Sequence, residues 1–253
     1  MTPAEAEPIP PGRWPGDHIG EARSVLEAAR LALDPVWHGR GVARGDGRDV
    51  VLVPGFLGGD YTLAPLATWL RRIGYRPAVC GFVTNADCSE RALERVERRV
   101  AALHARSGRR VAIVGHSRGG HLARAAAARR PELVSHAVSL GADLQAMFHC
   151  SALTLAGVEG ARRVLLRTGR ARHPECVTYR CPCTFTADFQ APFPEDRVRL
   201  TSVYSKGDGV VRWQAQLVPY ADCVEVTGSH VGLIFNRKSY LAIAEALAAP
   251  ELA

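Results

Sequence analysis

Hydrophobic and polar positions along this chain follow two periods in turn. Residues 19–33, "IGEARSVLEAARLAL", repeat apolar side chains every three or four positions, which predicts a helix that Pro35 stops. Val50–Val53, in "RDVVLVPGFLGG", form an uninterrupted apolar run, as expected of a buried strand that enters a Gly-rich loop. Further strand patterns are "YRPAVCGFV" (75–83), "RRVAIVG" (109–115), "VSHAVSLGA" (134–142), "RLTSVYS" (199–205) and "CVEVTG" (223–228). Helical patterns lie between them. "APLATWLRRIG" is closed by Gly74, and "SERALERVERRVAALHARSG" has Ser89 in the position of an N-cap and Gly108 past its end. "HLARAAAARR" stops before Pro131, a short helix is expected near Trp213, and "SYLAIAEALAA" closes the chain.

Strands that read as continuous apolar runs are buried on both faces, which predicts an α/β fold: a mostly parallel central sheet with helices on both faces. Residues 1–17, "MTPAEAEPIPPGRWPGD", are rich in proline and read as a flexible arm, leaving 18–253 as a single domain. Residues 143–197 break the alternation and form an insertion, with amphipathic helices expected in "LQAMFHCSALTLAGVEGARRVLLR". There is no internal repeat.

Composition narrows the function classes. Apolar residues make up 47% and charged residues 23% of 253, ordinary for a globular chain with a substantial core. The net charge of +7 comes from arginines scattered in pairs, Lys206 and Lys238 being the lysines, with no block of like charge that would form a nucleic-acid arm. No apolar stretch is long enough to span a membrane, and the N-terminus lacks the apolar core of a secretory signal. The expectation is therefore a cytoplasmic protein with reduced thiols.

The candidate chemistry centres on "VAIVGHSRGGHLARAAAA", where a strand turns directly into a helix at Ser117. A nucleophile on so sharp a turn needs small neighbours, which Gly115 and Gly119 supply. A serine hydroxyl becomes a nucleophile when a base takes its proton and an acid orients the base. Asp208 in "SKGDGVV" and His230 in "GSHVGL" each follow a strand, in the chain order Ser, Asp, His. Asp143 in "SLGAD" also follows a strand and is the alternative acid. His116 and His121 are neighbours of the serine rather than bases, while His18, His38, His104 and His136 precede helices or strands at their wrong ends. An oxyanion needs backbone donors, and the N–H groups of Arg118 and Phe56 are the candidates. The loop 54–59 lacks the Gly-Lys-Ser/Thr of a phosphate cradle.

With these motifs in this order, residues 48–248 resemble the α/β-hydrolases of the lipase and esterase type. "PGF-LGG" resembles the oxyanion loop, "GHSRGG" the nucleophile elbow, "SKGDGVV" the acid turn and "GSHVGL" the base loop. Pro54-Gly55 stands where lipases of this type carry a histidine-glycine pair. The resemblance implies a carboxylic ester hydrolase working through an acyl-enzyme, with a small-molecule acyl ester as substrate and no cofactor. It also implies that 143–197 is a cap or lid over the serine. An acyltransferase or thioesterase would use the same residues, and a non-catalytic binding protein of this fold is a further alternative.

Inside the insertion, His173, Cys176, Cys181 and Cys183 form a candidate metal set, since thiolate and imidazole suit zinc. His149, Cys150 or Cys223 could complete it. The C-x4-C-x-C spacing is not that of a standard zinc knuckle, and a disulfide or plain thiols packed in a small subcore fit it equally.

Overall fold

The computed structural model describes residues 14–178 and 180–252. Six strands make one parallel sheet in the order β2-β1-β3-β4-β5-β6. They are β1 (Asp49–Val53), β2 (Arg76–Val79), β3 (Val111–His116), β4 (Val134–Leu140), β5 (Arg199–Ser205) and β6 (Asp222–Val226). The helices are α1 (Ser24–Leu33), α2 (Ala64–Arg72), α3 (Ser89–Ser107), α4 (Arg118–Arg129), α5 (Ala152–Arg167), α6 (Thr184–Gln190) and α7 (Arg237–Ala248).

Successive residues of a strand face opposite sides of the sheet, and here both sides are covered. Val51, Val53, Val111 and Ile113 pack with Leu93, Val96 and Val100 of α3 and Leu122 of α4. Val50, Leu52, Ala112 and Val114 pack with Trp69 and Leu70 of α2 and with Tyr240, Ile243 and Leu247 of α7. This is why the central strands read as continuous apolar runs. Each buried valine, leucine or isoleucine among them contributes about 1.5–3 kcal/mol by leaving water. The one polar atom of Trp69 is satisfied at depth, since its indole N–H donates to the Val36 carbonyl at 2.8 Å.

Local chemistry sets the boundaries. Gly74 (φ +95°) and Gly108 (φ +67°) take the left-handed conformation just past α2 and α3, as their positions predict. Ser89 is not an N-cap: α3 begins at Ser89 itself, Cys88 is in the cap position, and the Ser89 hydroxyl instead accepts from Arg118 at 3.2 Å. β2 is shorter than the pattern 75–83 because Asp60 Oδ2 accepts from the N–H groups of Gly81 (2.7 Å) and Phe82 (3.0 Å), which turns the chain out of the sheet.

Residues 143–197 carry α5 and α6 between β4 and β5. α6 is tied to the body by Arg129 of α4, which bonds Asp188 of α6 at 2.7 Å and Glu90 and Glu97 of α3 at 2.9 and 3.1 Å. Of the expected arm 1–17, residues 1–13 lie outside the described residues. The remainder is held to the domain: the Trp14 carbonyl accepts from Ala152 N at 3.0 Å, and Asp17 N donates to the Gly209 carbonyl at 2.9 Å. Among the described residues no helix is long and apolar enough to cross a membrane.

Candidate active site

β3 ends at His116 and α4 starts at Arg118, so Ser117 alone makes the turn, at φ +53° and ψ −123°. A non-glycine residue held there carries about 1–3 kcal/mol of backbone strain. The surrounding glycines are required by close approach. A Cβ on Gly115 would lie 2.1 Å from the Gly119 carbonyl oxygen, one on Gly119 2.1 Å from the Val53 oxygen, and one on Gly120 2.4 Å from Ser139 Oγ. The sequence pattern is thus a packing requirement of the crossing between α4 and the strands beneath it.

The loop after β1 packs against this turn, since a Cβ on Gly55 would lie 3.2 Å from the Ser117 Cβ. Among the described residues, the backbone N–H groups of Phe56 and Arg118 have no hydrogen-bond acceptor. The loop is held by Asn85, which is fully buried: its Nδ2 donates to the Pro54 carbonyl at 2.7 Å and its N–H to the Gly58 carbonyl at 2.7 Å. Arg118 turns its guanidinium away from the serine and donates to the Asn85 carbonyl (2.8 Å), Asn85 Oδ1 (2.8 Å) and the Asp87 carbonyl (2.7 Å). Burial lowers its pKa to about 10, so it stays charged at neutral pH.

Asp208 and His230 meet. Asp208 Oδ2 accepts from His230 Nδ1 at 2.7 Å and from Gln216 Nε2 at 3.0 Å, while Oδ1 accepts from the N–H groups of Val210 (2.9 Å) and Val211 (2.8 Å). These bonds fix the carboxylate, and the carboxylate fixes the proton of His230 on Nδ1, leaving Nε2 with a lone pair. Burial by itself would lower the His230 pKa, but Asp208 and, more weakly, Glu21 outweigh it, and the net shift is upward. Beside it, His116 Nε2 lies 3.0 Å from the His230 carbonyl, which only accepts, so this nitrogen carries the proton. Burial, first, and the nearby His230 push the His116 imidazole down to about 3, so it stays neutral.

Asp143 is occupied elsewhere. Its Oδ1 accepts from the N–H groups of Gln145 and Ala146, both at 2.9 Å, and Oδ2 from that of His149 at 2.8 Å, with His149 Nδ1 3.1 Å away. Of the two carboxylates open from the sequence, Asp208 is the one that reaches His230.

Ser117 lies between two cavities. A cleft of about 520 Å³ is lined by Ser117, His230, Phe56, Gly55, His18 and Leu153, among others. A narrower, more enclosed cavity of about 70 Å³ runs under the insertion, past Met147, Phe148, Val177 and Phe185. Ser117 and His230 face the same cleft, with no hydrogen bond joining them among the described residues.

The fold has many counterparts among solved structures. The chain superposes on the mature lipase BlEst2 of Bacillus licheniformis with a TM-score of 0.60, at 16% identity, over 81% of this chain and 94% of that one. For the monoacylglycerol lipase of Paleococcus ferrophilus the TM-score is 0.53 at 16% identity, over 81% and 96% of the two chains. A family model described as the alpha/beta hydrolase fold matches residues 80–168. The chain has the α/β-hydrolase fold. A search of curated protein sequences gives no match.

Within this hydrolase fold, several site residues escaped the sequence reading. His18, expected at the wrong end of a helix for the site, lines the cleft, and its Nε2 is 2.8 Å from Ser151 Oγ. Asn85 and Gln216 are fully buried amides with no motif around them. The metal candidates are not gathered as ligands: among the described residues no cluster of His, Cys, Asp or Glu has the geometry to hold an ion. Cys176, Cys181 and Cys183 are free thiols packed in the apolar layer beside α3 and α4, with His173 only partly buried at its margin. Cys176 Sγ accepts from the N–H groups of Arg172 (3.2 Å) and His173 (3.3 Å), while burial and the adjacent Cys183 push the Cys181 thiol up to about 12. The disulfide alternative is likewise not formed.

Proposed function

We propose that the chain is a serine hydrolase that cleaves a carboxylic ester through an acyl-enzyme. The observation that carries this reading is the buried Asp208–His230 pair, bonded at 2.7 Å and opening on the cleft that Ser117 enters from its strained turn. In this mechanism His230 Nε2 takes the proton of Ser117 Oγ as the oxygen attacks the acyl carbonyl, and Asp208 stabilises the imidazolium that results. The unengaged N–H groups of Phe56 and Arg118 receive the oxyanion. His230 then returns its proton to the leaving alcohol, and water resolves the acyl-enzyme by the same path in reverse. No metal or organic cofactor enters these steps.

The two cavities suggest a division of the substrate. The enclosed apolar cavity suits a short acyl group, and the insertion 143–197 acts as a cap that supplies most of its wall. The wider cleft takes the alcohol portion. That cleft is open to solvent, its lining including the exposed Leu57 and Leu153, so water has access to the acyl-enzyme, which favours hydrolysis over transfer to a second alcohol or thiol. The lipases among the structural counterparts are consistent with this chemistry.

The test is intact-mass labelling with a fluorophosphonate, on the wild type and on Ser117→Ala, followed by p-nitrophenyl esters of increasing chain length. One adduct that disappears in the variant, with the fastest turnover on short acyl chains, is the expected result. A folded wild type that takes no label would overturn the assignment.

A further inference from the structure

The acid and base loops share a partner that the mechanism above does not use. Glu21 lies in the single-turn 3-10 helix Gly20–Arg23, ahead of α1 and far from the motifs in sequence. Its Oε1 accepts from His230 N at 2.8 Å and from Gly209 N at 3.0 Å, and its Oε2 accepts from Val231 N at 2.8 Å. Gly209 directly follows the acid Asp208, and His230 is the base. One carboxylate therefore spans the two loops that must hold the Asp208–His230 geometry.

The contact is built from both sides. A Cβ on Gly209 would lie 2.3 Å from the Asp17 carbonyl oxygen and 3.0 Å from Glu21 Oε1, so glycine is what lets the N-terminal segment reach the acid turn. Six residues on, in α1, Glu27 Oε1 accepts from Ser229 N at 3.0 Å and Oε2 from Ser229 Oγ at 2.8 Å. A Cβ on Gly232 would lie 1.5 Å from Glu27 Oε2. Backbone donors in a base loop are ordinarily paired within the loop or with water. Here side chains from about two hundred residues upstream pair them instead.

We propose that Glu21 is a positioning residue for the Asp208–His230 pair, fixing the base loop against the acid loop and adding negative charge beside the imidazole. The inference rests on the serine-hydrolase reading for its functional meaning, but its geometry stands apart from it. The groups that face His230 are Asp208 on Nδ1, His116 with ring centroids 4.9 Å apart, Glu21 at its backbone, Glu27 through Ser229, and His18 across the cleft. His116 is neutral in the working pH range, so the charge felt by the imidazole is that of the carboxylates.

The experiment titrates His230 by NMR in protein labelled at the histidine ring nitrogens, for wild type, Glu21→Gln, Glu21→Asp and Glu27→Gln. The acidic limb of kcat/KM and the rate of fluorophosphonate capture are measured on the same samples. Glu21→Gln is expected to move the titration midpoint and the acidic limb to lower pH by at least about 0.3 pH unit. It is also expected to lower plateau kcat about tenfold, with KM changed far less. Glu21→Asp keeps the charge and is expected to restore the midpoint while recovering only part of kcat. Glu27→Gln is expected to lower the melting temperature with the midpoint in place. A Glu21→Gln protein with wild-type midpoint and plateau kcat within twofold of wild type would refute the proposal. If Glu21→Gln does not fold, Glu21→Asp decides alone: kcat equal to the wild type's overturns a positioning role. The NMR midpoint needs no substrate, so a wild type that captures no fluorophosphonate overturns the hydrolase reading separately.

Discussion

Replacing Asp208 by Asn keeps the size and shape of the side chain and removes its charge. Oδ1 can still accept from Val210 and Val211. The new Nδ2–H2 then confronts Gln216 Nε2 and His230 Nδ1–H, donor against donor, where the carboxylate accepted from both. The imidazole escapes by moving its proton to Nε2, the nitrogen that must be free to take the serine proton. The electrostatic loss is separate. A unit charge about 4 Å from the imidazolium, at an effective dielectric of about 20, is worth about 4 kcal/mol. At about 1.4 kcal/mol per factor of ten, turnover should fall about 10³-fold. The assay is kcat and kcat/KM on a short-chain p-nitrophenyl ester across pH, with circular dichroism to establish folding. In the wild type the acidic limb should lie above the ordinary imidazole value of 6.5, because Asp208 raises it in the fold despite burial. The imidazolium's contribution to stability has the matching sign: it is complete below pH 6.5 and fades as pH rises through the folded value. Asp143→Asn provides the contrast, since an amide oxygen can still accept from backbone N–H groups there, and turnover should fall less than tenfold. An Asp208→Asn enzyme with more than a tenth of wild-type turnover, or an Asp143→Asn enzyme more damaged than it, would refute the reasoning.

Two further outcomes test the packing. Gly119→Ala places a methyl 2.1 Å from the Val53 carbonyl, against backbone that cannot yield cheaply, and should destabilise the fold by about 3 kcal/mol or more by denaturant titration. Thiol titration with a disulfide reagent, without reductant, should find Cys223 the first to react in the native protein, though slowed because burial raises its thiol pKa, and all seven cysteines after unfolding, since every cysteine is a free thiol and Cys223 alone is exposed.

The parts of the fold that were legible in sequence are those where one residue type meets one physical demand. Val50–Val53 had to be apolar on both faces, and the "GHSRGG" turn had to be glycine wherever carbonyl oxygens approach within contact distance. Asp208 and His230 were legible because each sits just past a strand. The pairing that separates Asp208 from Asp143 is three-dimensional: both are buried, both accept several N–H bonds, and only the fold decides which one has His230 beside it. Glu21, Asn85 and Gln216 were illegible for a different reason. Glu21 and Asn85 bond backbone atoms distant in sequence, and Gln216 bonds the Asp208 carboxylate across a turn of irregular backbone, so neither neighbours nor spacing signal them. Ser89 shows the converse failure, a residue with the right identity for a cap whose hydroxyl is claimed by Arg118 instead. For the cysteines of the insertion the spacing left metal ligands, a disulfide and packed thiols open, and they fold as small apolar groups in the same cluster as Phe185 and Phe189.

The bond between Glu21 and His230 joins residues 209 positions apart. As a chain is synthesised, the Glu21 segment emerges about two hundred residues before the base loop. A contact of that sequence separation is expected to form after the local pairings of the central strands. A nascent or partly opened chain would thus expose the serine turn without an aligned base. On the serine-hydrolase reading proposed above, loosening the Glu21 segment would misalign the base before the sheet comes apart. Reactivity in this protein would then report that folding has gone to completion.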